Sequence, residues 1–144
     1  MASAVIHEKL ESLRRCLGRI RQRRPETVQA LKEDVDVQDI LSVNLTRAVQ
    51  LCVDIASHLL VTTDEAPPET MGQSFDRLAN AGVISRPVAD RMKAAVGFRN
   101  IAIHSYQEID WEIVFAIVTR HLDDFEDFAR AVVYRETGRS NPLT

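Results

Sequence analysis

The chain has 144 residues, 45% hydrophobic and 27% charged, a balance that excludes a disordered or collagen-like polymer and suits one folded domain with a substantial core. A formal net charge of −3 and a sequence pI near 5.8 exclude a global basic field for nucleic acid, leaving only a local cationic patch for that purpose. Glycine and proline are scarce, five of each, and cluster between the periodic segments, which favours an all-α fold over a turn-rich β fold.

Residues 3–23 read as an amphipathic helix. Ser3 is its N-cap candidate, and Ile6, Leu10, Leu13, Leu17 and Ile20 form one apolar stripe. Its far end is basic, with Arg14, Arg15, Arg19, Arg21, Arg23 and Arg24. Cations are favoured at a helix C-terminus by the macrodipole, so a solvated helix end accounts for them as well as a phosphate or partner patch does. Pro25 is suited to open a short helix reaching about Lys32. The acidic run Glu33 to Asp36 marks a break or the start of the next element.

Residues 36–61 form the central helix, with Val37, Leu41, Leu45, Ala48, Cys52, Ile55 and Leu59 in an unbroken stripe widened by Ile40, Val49, Leu51, Val53 and Leu60. A helix apolar on several sides packs against more than one neighbour. Asp39, Asn44 and His58 read as surface or structural groups on it. Thr62 to Pro68 is a loop, Thr70 with Gln73 has the spacing of a capping box, and Gly82 is a natural stop. Ser85 caps the next helix, whose stripe is Val88, Met92, Ala95, Phe98 and Ala102. Gly97 inside it is a place for close approach or a tolerated defect. Asp110 caps a last helix running to about Glu136, and the segments 36–61 and 111–136 are expected to form the long antiparallel pair of the bundle. Residues 1–137 thus read as one helical domain and 138–144 as a flexible C-terminal tail.

Cys16 and Cys52 fall inside apolar patterns with no zinc-like or disulfide-framework spacing, as buried free thiols of a cytoplasmic protein do. No run reaches the ~18 apolar residues of a membrane helix, and Met1 to Lys9 lacks the apolar stretch of a signal peptide.

Chemistry concentrates between Phe98 and Tyr106, where Arg99, Asn100, His104 and Tyr106 fall within nine residues of a chain that has four histidines and two tyrosines. On an ideal helix Asn100 and His104 share a face, as do Arg99 and Tyr106, whereas Arg99 and His104 diverge by roughly 140°. One straight helix therefore does not aim the arginine and the histidine at one atom. Either the helix loosens near His104 or a second copy of the chain supplies the missing group across a symmetric cleft. Arginine pairs with phosphate oxygens through a planar fork. Histidine takes and gives protons near neutrality. Asparagine orients an imidazole or a ribose hydroxyl. Together they suit in-line attack of a ribose 2′-hydroxyl on its own phosphodiester. Hydrogen-bonding and capping groups at a bundle end are the plainer reading of the same residues, and a packed helix-end aromatic is that of Tyr106.

The run Arg99-Asn100, then His104-Ser105-Tyr106, resembles the Arg-x4-His-x-Tyr motif of HepT-type toxins of the HEPN (higher eukaryotes and prokaryotes nucleotide-binding) superfamily. The resemblance extends through Asn44 to Leu59, Ser74 to Leu78 and Phe98 to Trp111. It implies a HEPN-like helical bundle, homodimeric with the motif lining the cleft. It also implies a metal-independent endoribonuclease that needs no cofactor and acts on messenger or transfer RNA as the toxin of a bacterial type VII toxin–antitoxin pair. Arg99 and His104 would carry catalysis with support from Asn100. The implied partner is a MntA-type minimal nucleotidyltransferase that neutralises the toxin by transferring AMP to Tyr106. Such an adduct is expected to bring an anion beside Arg99. The alternative is a non-catalytic HEPN module that binds a nucleotide or docks a nucleotidyltransferase.

Overall fold

The computed structural model describes residues 3–138, so all of the expected tail except Gly138 lies outside the described residues. Seven α-helices and one short 3₁₀ helix make up the described part, with no strand in it. Helix α1 (Ala4–Arg23) begins at Ser3, whose hydroxyl accepts from the Val5 amide. Helix α2 (Val28–Glu33) is one short turn capped by Thr27. Pro25 does not open it. Thr27 Oγ1 accepts from the Ala30 amide at 3.1 Å, and this cap places the start three residues later than proline preference alone suggests. Asp34 then ends α2 and caps α3 (Val35–Leu60), its carboxylate accepting from the Val37 amide at 3.2 Å.

Helix α4 (Met71–Asn80) starts at Thr70, which accepts from the Gln73 amide. The Gln73 side chain reaches back to the Glu69 amide, one residue beyond a strict capping box. It ends in a Schellman motif: the Val83 amide donates to Leu78 O, the Gly82 amide to Ala79 O, and Gly82 takes φ +77°. Helix α5 (Arg86–His104) is capped by Ser85, with Pro87 in its first turn. Tyr106–Glu108 forms the 3₁₀ helix.

The last segment is two helices, not one: α6 (Trp111–Arg120) and α7 (Leu122–Thr137), with the break at His121. The Arg24 guanidinium donates to Val118 O at 2.7 Å, capturing the carbonyl that a continuous helix would offer to the Leu122 amide. No proline or glycine marks this break in the sequence.

The long antiparallel pair is α1 with α3. Lys9 meets Asp54, Ile6 lies near Leu59, and Cys16 lies beside Gln50 and Leu51. Helix α7 also runs antiparallel to α1, with Arg21 on Glu126 and Ile6 near Arg135, so the expected pairing of 36–61 with 111–136 is replaced by this arrangement. The core is the meeting of Leu13, Leu17 and Ile20 with Leu41, Leu45, Ala48, Cys52 and Ile55, closed by Phe75, Leu78, Met92, Val118 and Phe128. Phe75 and Phe128 pack edge to face at 5.5 Å. Both cysteines are buried and free. By length and hydropathy alone α3 is able to span a membrane, contrary to the sequence expectation, but 56% of that window is buried inside the bundle, as in a core helix.

Truncating Phe128, fully buried at the α4–α7 contact, to alanine should cost about 3–5 kcal/mol. Denaturant unfolding followed by circular dichroism measures it, and a loss below 1 kcal/mol would show that this contact does not hold α7 to the bundle.

Candidate functional site

The motif occupies the last turn of α5 and the turn after it. Arg99, half-buried, directs its guanidinium onto α3: Nη2 donates to Gln50 Oε1 at 3.2 Å, while Nη1 donates to Asn100 Oδ1 at 3.2 Å. Its Nε is buried with no protein partner. Gln50 is itself held, donating through Nε2 to Asp54 Oδ1 at 3.0 Å, and Asp54 receives Lys9 of α1. A hydrogen-bonded chain therefore crosses three helices to fix the arginine.

His104 is the final residue of α5 and is exposed. The helix stays regular from Arg99 through His104, so the divergence of roughly 140° between the two side chains persists. Helical structure fails at the next residue, Ser105, with φ −147° and ψ 51°. Asn100, expected to face His104, offers its carbonyl oxygen to Arg99 instead.

The break after His104 removes Tyr106 from the α5 register, so it does not share the Arg99 face. In the 3₁₀ helix its ring stacks edge to face on Trp111 at 6.0 Å, and its hydroxyl donates to Asp39 Oδ1 at 2.5 Å. Burial first, and then the hydrogen bond to Asp39, push the phenol above its ordinary value of 10.0, holding the hydroxyl protonated. Asp39 and Gln50 are eleven residues apart on α3, hence on one face and roughly 16 Å apart along it. Within one chain the Tyr106 hydroxyl and the Arg99 guanidinium are thus anchored at separate stations. A groove of about 330 Å³ lies between α3 and α5 beside Tyr106, lined by Val43, Thr46, Arg47 and Ile103 among others.

Sequence reasoning missed Asp39 and Gln50. Asp39 reads from sequence as a surface or structural group and Gln50 is not singled out there; their eleven-residue spacing on one face was the available signal.

A second concavity, of about 550 Å³, lies between α5 and α6. Ala94, Gly97, Phe98, Ile101, Ile113 and Ile117 supply its apolar walls. Ile101 and Ile113 are 44% and 55% exposed, too much for a core position. A Cβ at Gly97 meets nothing within 4 Å, so this glycine serves no close approach among the described residues.

This helical bundle is the fold of the HEPN toxins. A solved structure of the tri-AMPylated Shewanella oneidensis HEPN toxin in complex with its MNT antitoxin matches with a TM-score of 0.86 and 36% identity, covering 92% of this chain and 98% of that one. The family described as "Ribonuclease HepT-like" matches residues 10–132, and the chain belongs to it. The mRNA nuclease HepT of Shewanella oneidensis is 39% identical over 124 residues, 86% of this chain and 92% of that protein. The tRNA nuclease HepT of Aphanizomenon flos-aquae is 22% identical over 128 residues, 89% of this chain and 87% of that protein.

The raised phenol is directly measurable. The ultraviolet titration of Tyr106, taken as the difference between wild type and Tyr106→Phe, should fall above pH 10, and Asp39→Asn should bring it part of the way down while the effect of burial remains. The stability linked to this group should be present below about pH 10 and lost as pH rises through the raised value. A titration unmoved by Asp39→Asn would remove the carboxylate as a cause.

Proposed function

We propose that this protein is the toxin of a bacterial toxin–antitoxin pair, a cytoplasmic endoribonuclease that cleaves messenger or transfer RNA without a metal ion. The observation that carries this reading is the Arg99, Asn100, His104 and Tyr106 set at the end of α5, in a chain of the HepT-like ribonuclease family. In the proposed reaction the ribose 2′-oxygen attacks the adjacent phosphorus and the 5′-oxygen of the next nucleotide leaves, giving a 2′,3′-cyclic phosphate. His104 moves the proton, being exposed at a helix end where substrate has access. Arg99, already oriented by Gln50, stabilises the charge that builds on the phosphorane oxygens. Asn100 keeps the guanidinium fork in place through its carbonyl oxygen.

The divergence of Arg99 from His104 on a regular helix supports a site shared between two copies. The apolar wall formed by Phe98 and Ile101 of the motif helix α5 with Ile113 and Ile117 of α6, exposed at Ile101 and Ile113, is the surface we assign to the homodimer. Control follows from Tyr106. Its oxygen attacks the α-phosphorus of ATP held by a MntA-type nucleotidyltransferase, pyrophosphate leaves, and Asp39, already accepting the hydroxyl, takes the proton. The resulting anion stands in the groove beside Arg47 and obstructs RNA.

Purified protein should cleave total RNA in EDTA, and Arg99→Ala and His104→Ala should each lower the rate by about 10²–10⁴-fold with helicity retained. Mixing and re-associating those two variants should restore about a quarter of the activity, because half of the dimers carry one intact composite site. No recovery in a confirmed mixed dimer would place both residues in one chain's site. Tyr106→Phe should keep its cleavage, yet gain no AMP mass when incubated with the nucleotidyltransferase and ATP. A mass gain in that variant would move the modification elsewhere.

A further inference from the structure

Three arginines stand together where α1 crosses α3. Arg15 and Arg19, four residues apart on α1, share a face, and Arg47 approaches them from α3. With Gln50 and Ser12 they line a concavity of about 430 Å³ to which no carboxylate contributes. Other arginines near this end of α1 are engaged: Arg14 with Glu11, Arg21 with Glu126, Arg24 with the Val118 carbonyl. Among the described residues Arg15 donates only to the Ser12 hydroxyl, at 3.1 Å. Arg19 and Arg47 have no hydrogen bond or ion pair among the described residues. All three cations are close enough to the buried Cys16 thiol to oppose the upward push that burial gives it. In a chain of net charge −3, three unneutralised guanidiniums around one hollow repel each other unless an anion joins them.

The hollow adjoins the site on two sides. Gln50 lines it and also holds the Arg99 guanidinium. Arg47 lines both this hollow and the groove beside Tyr106. We propose that Arg15, Arg19 and Arg47 form a phosphodiester seat that holds the backbone of single-stranded RNA next to the cleavage site. Planar guanidinium forks pair with phosphate oxygens whatever base is attached, so the seat positions the strand and reads no sequence. Three cations in one hollow match successive phosphates of a polyanion better than the single phosphate of AMP. The proposal rests on the ribonuclease reading for its substrate class.

The test is the salt dependence of binding to a single-stranded 2′-O-methyl oligoribonucleotide, which has no free 2′-hydroxyl and is not cut. Against wild type, the full chain carrying Arg15→Gln, Arg19→Gln and Arg47→Gln should lose about 2 from the slope of log K against log salt, at ~0.7 per phosphate contact. It should bind about 100-fold more weakly at 0.1 M salt. The pair Arg14→Gln and Arg23→Gln, on the same helix but outside the hollow, should keep the slope within about 0.5 of wild type. An unchanged slope in the triple variant overturns the seat even if AMP binding is lost, and so does an equal loss in the control pair. Natural RNA is assayed in parallel. A wild type that cuts RNA while the triple variant keeps its slope overturns the seat alone. One that binds with the predicted slopes but never cuts supports the seat and removes the ribonuclease reading. Should the triple variant fail to fold, Arg47→Gln alone should lose about 0.7 of slope, and no loss there overturns the seat.

Discussion

Helix α3 is the element around which the bundle packs, and two of its polar side chains, Asp39 and Gln50, hold the two ends of the candidate site. Leu41, Leu45, Ala48, Cys52 and Ile55 are fully enclosed, and α1, α4 and α5 pack around them. Asp39 and Gln50 lie on one face of this helix, and each receives one side chain of the motif, Tyr106 and Arg99 respectively. The rigidity of the core thus becomes the precision of the site: two polar stations on a helix that cannot shift without opening the bundle.

Charge is distributed unevenly around this frame. On the α4, α5 and α7 side, Asp76 pairs with Arg86 and Lys93, while Asp124 and Asp127 pair with Arg91 and Arg130. Exposed pairs of this kind contribute about 0–1 kcal/mol each, so their main effect is to leave that side electrically quiet. Where α1 crosses α3, Arg15, Arg19 and Arg47 have no carboxylate partner among the described residues. The acidic balance of the whole chain is therefore no guide to its interacting face, because most of the neutralisation happens elsewhere.

Much of the fold was legible because helix periodicity and caps are local. Ser3, Thr70, Ser85 and Asp110 all cap where their side chains allow, and Gly82 stops α4 as its backbone freedom permits. Apart from the start of α2, where Thr27 caps in place of Pro25, the misreadings are long-range. The break at His121 depends on Arg24, far away in sequence, taking the Val118 carbonyl. The departure of Tyr106 from the α5 face depends on a hydroxyl captured by Asp39 and a ring seated on Trp111. Arg99, Asn100, His104 and Tyr106 were visible as a cluster of unusual residues; Asp39 and Gln50 were not, since nothing local separates a supporting polar group from a solvated one.

The chain from Lys9 through Asp54 and Gln50 to Arg99 has a direction. An ionised carboxylate only accepts hydrogen bonds, so Asp54 compels Gln50 to turn its amide nitrogen inward and its oxygen outward. The oxygen is then the only end left for Arg99, which has nothing but donors to offer. Lys9, on a different helix, donates to the other oxygen of the Asp54 carboxylate at 3.4 Å. One carboxylate thus holds a cation of α1 and an amide of α3 at once, and the aim of the motif arginine is tied through that carboxylate to the N-terminal helix.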